Sequence, residues 1–143
     1  MLEKYLKRIF EGNVELYDET IWKYNFAELE AAVAAGFEID FANTERAAAR
    51  LAYQLRENAA VYAAFKNHVE KNELVGLLTN EAGGIRNWED FKDAALPITE
   101  KYNKTWLETE YNQAVGNATM AKKWQGFEEN ADIYPNLQYR AVM

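Results

Sequence analysis

Ile98-Thr99-Glu100-Lys101-Tyr102-Asn103-Lys104-Thr105-Trp106-Leu107-Glu108-Thr109-Glu110-Tyr111-Asn112-Gln113-Ala114, with its continuation to Asn130, decides the fold class. Two apolar strips run along it at helical spacing. Leu107, Tyr111, Ala114, Ala118 and Ala121 form one; Trp106, Met120, Trp124 and Phe127 form the other. At 1.5 Å per residue the segment is a rod of about 50 Å. That is long for a chain of 143 residues, so it should be the spine on which shorter helices pack. Two strips on one helix need cover on two sides, from the chain's own helices or from a partner.

Upstream, Asn87 is a good N-cap with Asp90 three positions on, and Trp88, Phe91, Ala95, Ile98 and Tyr102 carry one face across Pro97. Proline removes its own hydrogen bond to the carbonyl of Asp93 and crowds that turn, so a kink at Pro97 is predicted rather than an end. Downstream of Tyr134-Pro135, the stretch Leu137 to Val142 alternates like a short terminal strand. One strand cannot satisfy itself, so the chain is expected to be the N-terminal part of a longer protein or to lend the strand to a neighbour.

The first half reads as shorter helices. Leu2 to Phe10 should stop at Gly12-Asn13, and Val14 to Ala35 carries Trp22, Phe26, Leu29 and Val33 on one side, with Gly36 as its C-terminal cap. Phe37 to Phe41 is a connector. Asn43-Thr44 offers a cap for Glu45 to Glu57, with Ala48, Leu51, Ala52 and Leu55 inward. Ala60 to Leu78 puts Val61, Phe65 and Val69 along one side before Gly83-Gly84 marks a loop. That loop lacks the strand before it and the Lys-Ser/Thr after it that a phosphate cradle requires. The expected architecture is all-α: one helical domain over residues 1–143 built on a long, kinked C-terminal helix.

Composition narrows the function. With 49% hydrophobic and 27% charged residues, seven glycines and two prolines, the chain suits a helical globular domain. A formal charge of −7 repels a phosphate backbone, which makes direct nucleic-acid binding a poor expectation. No cysteine means no disulfide, thiol nucleophile or thiolate metal site. Charge is interspersed from Met1 to Arg8, unlike a secretory signal, and the least charged stretch, Tyr111 to Ala121, falls well short of the ~20 apolar residues of a membrane span. The two Asn-x-Thr sequons, at Asn103 and Asn117, read as chance.

Candidate chemistry is sparse. His68 is the only histidine, so any catalytic dyad would pass through it; the structural reading, a half-buried ring bonded to a backbone or carboxylate oxygen, is the better one. A di-iron site would need a second histidine, and the acidic clusters Glu108 with Glu110 and Glu128-Glu129 with Asp132 read as solvated surface. No cofactor or metal is expected. Glu110 lies between the two apolar strips; if buried, it and Asn112 must find partners and would fix helix register. Trp106 and Trp124, if exposed, are candidate anchors for a protein partner.

The run Trp106 to Ala114, then Ala118, Met120-Ala121, Lys123-Trp124, Glu128-Glu129-Asn130 and Pro135 to Tyr139, resembles the phage Mu F-like family of minor head, or head-morphogenesis, proteins in the form carried by prophages of gut bacteria. Leu55 to Lys66 and Phe91-Lys92 are similar to the same proteins, so the likeness covers most of the chain from about residue 12. The resemblance implies a non-enzymatic structural protein that works in capsid assembly with portal or coat subunits as partners. It implies assembly in the host cytoplasm, then residence in the virion head. The family continues past the Tyr139 strand into a region with aspartate, arginine, histidine and cysteine motifs, of which this sequence, ending at Met143, carries none. The alternative is a cytoplasmic helical adaptor that binds a partner peptide; an enzyme using His68 comes third. Self-association is left open.

Overall fold

A computed structural model of the chain describes residues 1–131, and these are all-α. Helix α1 (Leu2–Phe10) has Glu3 in its first turn and Lys7 and Arg8 in its last, complementing the helix dipole. It stops where expected: Gly12 takes a positive φ of 76°, a conformation that costs glycine nothing. Helix α2 (Glu19–Phe37) begins later than the predicted Val14, because Asp18 is the residue whose carboxylate accepts the free Ile21 N–H, at 3.1 Å.

Gly36 is not the cap of α2. It lies inside the helix, and Glu38 adopts the left-handed conformation at φ 60° instead. Gly36 is there for packing: a Cβ on it would fall onto the Val115 carbonyl oxygen and sit 2.8 Å from the Ala118 Cβ. This close approach lets α2 lie flush on helix α5 (Trp106–Glu129), its most extensive contact. The expected connector is present: Glu38 to Glu45 is irregular, with Phe41 packed edge-on against Tyr53 at 5.0 Å.

Two predicted helices prove to be one. After a 3₁₀ turn at Arg46–Ala49, helix α3 runs unbroken from Arg50 to Val75. Nothing at Glu57 to Ala60 breaks it, since neither glycine nor proline occurs there. Val61, Phe65 and Val69 share one side as expected, and that side faces solvent: they are 72%, 66% and 42% exposed. The side that faces in carries Ala52, Ala63, Lys66, Asn67, Glu70 and Leu74.

A loop with Gly83 at φ 85° leads to helix α4 (Trp88–Glu100), capped as predicted by Asn87, whose side chain accepts the Asp90 N–H at 2.9 Å. Helical hydrogen bonding continues past Pro97, and the irregularity falls a turn later, where Lys101–Thr105 forms a π turn closed by the Trp106 N–H on the Lys101 carbonyl. Buried Phe91, Ala95, Thr99, Asn103 and Leu107 explain it. Residues spaced by four drift about 40° per step around an α-helix, and a wider turn holds them on one line. The spine from Trp88 to Glu129 is therefore one rod with a π turn within it. The predicted terminal strand at Leu137 to Val142 lies outside the described residues.

Two apolar clusters hold the helices together. Tyr5, Leu6, Ile9, Ile21, Leu74, Phe91 and Ala95 gather where α1 lies on α4 and the end of α3. Val33, Phe37, Ala49, Ala52 and Ala118 gather where α2, α3 and α5 meet. Between them the inside is polar.

Candidate functional site

The polar layer is built largely by α3. Glu70, wholly buried, accepts hydrogen bonds from Thr99 Oγ1 at 2.7 Å, Asn103 Nδ2 at 2.8 Å and Asn67 Nδ2 at 3.0 Å. Burial pushes its carboxyl up to about 7, against the opposing pull of those three bonds. Asn103 sits in the π turn and accepts from Asn25 Nδ2 at 2.8 Å, so the turn delivers an amide between α2 and α3. Lys66 is buried, donating to Asn25 Oδ1 at 2.8 Å and to Glu110 Oε1 at 2.6 Å. Asn67 accepts the Asp18 N–H and donates to Tyr5 Oη at 3.1 Å; Asp18 in turn binds Arg8 through both carboxylate oxygens, at 2.6 and 2.9 Å. Burial, together with the Glu70 charge, raises the Tyr5 hydroxyl well above the ordinary phenol range. Among the described residues no buried side-chain N or O lacks a partner. A satisfied network of this kind specifies one arrangement of helices.

Glu110 is where this layer reaches the surface. Besides Lys66 it receives the Tyr62 hydroxyl, and burial together with that carboxylate raises the Tyr62 pKa. Glu110, which by its position between two strips had to find partners if buried, thus has two, from Lys66 and Tyr62. Asn112 does not join it, being exposed on α5. The corresponding work at the far end is done by Gln125, missed in the sequence: its amide donates to the Ala48 carbonyl at 3.0 Å and its oxygen accepts the Leu51 N–H at 3.3 Å. No sequence signal marks Gln125 beyond its place four residues after Ala121 on the inward strip.

The two strips of α5 part company. Leu107 and Ala118 of the first are buried against the bundle. On the second, Trp106 is 41% exposed, Met120 64% and Phe127 37%, while Trp124 is half-buried. Trp106 packs edge-on against Tyr102 at 4.7 Å and carries the Lys101 ammonium 4.7 Å from its ring centre, which holds the indole in place without covering it. Trp106 and Trp124 lie about 27 Å apart along one line.

A cleft of about 240 Å³ opens between α2, α3 and α5, with Leu29, Val33 and Leu55 in its apolar lining and Tyr62 and Glu110 among its polar residues. His68 is not part of it. The His68 ring meets the Leu16 carbonyl at 2.7 Å through Nδ1 and the Asn72 amide at 3.2 Å through Nε2, matching the structural reading. Among the described residues no cluster of three or more His, Asp or Glu side chains could hold a metal ion, and no helix is long and apolar enough to cross a membrane. No protein-family model, curated protein or solved structure matches the chain.

Proposed function

We propose that the chain is the N-terminal helical portion of a phage Mu F-like minor head protein, a non-enzymatic module that takes part in procapsid assembly by docking on portal or coat subunits. The observation that carries this reading is the second strip of α5. Trp106, Met120 and Phe127 align over about 32 Å of a stiff rod and stay open to solvent, while Leu107 and Ala118 of the other strip are buried. Aromatic and methionine side chains on a rigid element are the usual centre of a protein interface. The rod is braced from behind by Gly36 and by the polar layer, so docking need not reorder it.

Co-expression with a cognate portal protein tests the reading. The chain should co-purify with the portal, and Met120→Glu should abolish capture without changing the melting temperature. Deletion of the full-length gene from a phage that still builds normal capsids would sink it.

A second reading, a cytoplasmic helical adaptor holding a partner peptide, is favoured by the apolar cleft between α2, α3 and α5. Terminase and portal genes beside the coding frame support the first reading; their absence supports the second.

A further inference from the structure

The cleft between α2, α3 and α5 is apolar along its walls and polar at one place only. Leu29 and Val33 from α2, Leu55 and Ala59 from α3 and Ala114 from α5 form the walls, and Glu110 is the only lining residue that carries a charge. Its volume of about 240 Å³ exceeds the roughly 150 Å³ of an apolar cavity that accepts benzene, so it holds one ring with a short arm. An apolar cleft of that size with a few convergent polar groups is the ordinary form of a small-molecule site.

What the polar end offers is decided by bonds already made. Tyr62 gives its hydroxyl proton to Glu110 Oε2, and Lys66 gives Oε1 an N–H at 2.6 Å from behind, with its own side chain only 5% exposed. Lys66 also donates to Asn25 Oδ1, at 2.8 Å. The ionic and phenolic donors are therefore spent, while acceptors remain: a carboxylate has about four lone-pair sites and a hydroxyl two. An anion entering the cleft would meet the Glu110 carboxylate, which covers the Lys66 ammonium, and the chain's charge of −7 opposes its approach. A guanidinium needs both oxygens of a carboxylate for its planar fork, and both are taken. A primary ammonium, with three N–H donors and no acceptor, is the complement of this end.

We propose that the cleft binds a small primary amine with an aromatic body, its ammonium on Glu110 and Tyr62 and its ring between Leu29, Val33 and Ala114. The inference rests on neither reading above, since it needs no capsid subunit and no peptide. Lys66 and Tyr62 hold the Glu110 carboxylate in place, so the site is formed before the ligand arrives.

Three probes of matched shape test this on the full chain at neutral pH: 2-phenylethylammonium, 2-phenylethanol and phenylacetate, titrated while the backbone amide resonances of Ala59, Glu110 and Ala114 are followed. The amine should bind at least about tenfold more tightly than the alcohol, with the carboxylate weakest of the three. Glu110→Gln should bring the amine and the alcohol within about twofold of each other. That change leaves buried Lys66 without its carboxylate, so Ala59→Leu, which fills the cleft and spares the Glu110 bonds, is the second variant. It should weaken the amine and the alcohol alike, by about tenfold or more, with the helical signal unchanged. Met120→Glu, on the exposed strip of α5, should bind the amine as the parent chain does. An alcohol or carboxylate that binds as tightly as the amine, or a preference that survives Glu110→Gln, overturns the cation site. Binding that leaves the three resonances unmoved, or that Ala59→Leu does not weaken, overturns the cleft as its place. No binding of the amine at millimolar concentration overturns both.

Discussion

The two faces of α3 invert the ordinary rule. Its inner face holds Lys66, Asn67 and Glu70, all buried, while its outer face shows Val61 and Phe65 to solvent. Burying an amine, an amide and a carboxyl is costly unless each is hydrogen-bonded, and here each is, to α1, α2, the π turn and α5. The apolar face could have been turned inward, but then Asn25, Thr99, Asn103 and Glu110 would have lost the partners they reach on α3. Helix orientation is thus set by the whole polar layer, and the apolar ridge is left facing solvent. Neighbours one residue apart should therefore respond to substitution in opposite ways.

Lys66→Met should be the most damaging change. It strands Glu110 and Asn25 with unmet acceptors, and loss of one member of a buried pair costs about 3 to 5 kcal/mol, read as a lower urea midpoint at unchanged m.

Acidity should separate the inner face from the outer. Glu70 binds its proton more tightly in the folded chain, about 7 against an ordinary 4.5, so its contribution to stability is fully present below pH 4.5 and is lost as pH rises through 7. The swing is about 3 kcal/mol. Glu70→Gln should remove that part of the pH dependence in urea titrations; an unchanged profile would show that the carboxyl is not desolvated as placed.

Gly36→Ala probes the seam against which the layer is clamped. Its Cβ meets the Val115 backbone, which cannot give like a flexible side chain, so a loss of about 1 to 3 kcal/mol is expected by thermal or chemical melting.

Trp106→Ala should lose about 1 kcal/mol, the worth of its edge contact with Tyr102, rather than the larger cost of a core tryptophan. The melting temperature would distinguish the two.

Smallest of all, Phe65→Ser should change stability by no more than about 0.5 kcal/mol, although Phe65 is large and apolar and stands next to Lys66. A loss near that of Lys66→Met would mean that α3 sits the other way round.

Much of the fold was legible in the residues because its signals are local. The Gly12 stop, the Asn87 cap and the continuous rod through Pro97 follow from backbone preferences that act within a turn or two. The inward strip of α5 at Leu107 and Ala118 follows from a single dominant period. Less of the candidate site could be read. Glu110 was marked by its place between two strips, but Asn112 was grouped with it by sequence proximity alone, and neighbours on a helix point about 100° apart or more. Gly36 looked like a cap because glycine serves two purposes, and only the position of Val115 shows which one applies.

By itself, then, the sequence determined that this chain is helical, where α1 stops and α4 is capped, and that its last long helix has two apolar sides. Tertiary structure alone decided which side of α3 is inside. Periodicity identifies a face but carries no sign when a second, polar face can be fully hydrogen-bonded. The partners that make it so, Asn25 to Lys66 and Asn25 to Asn103, lie 41 and 78 residues apart in the chain and meet only when the bundle closes.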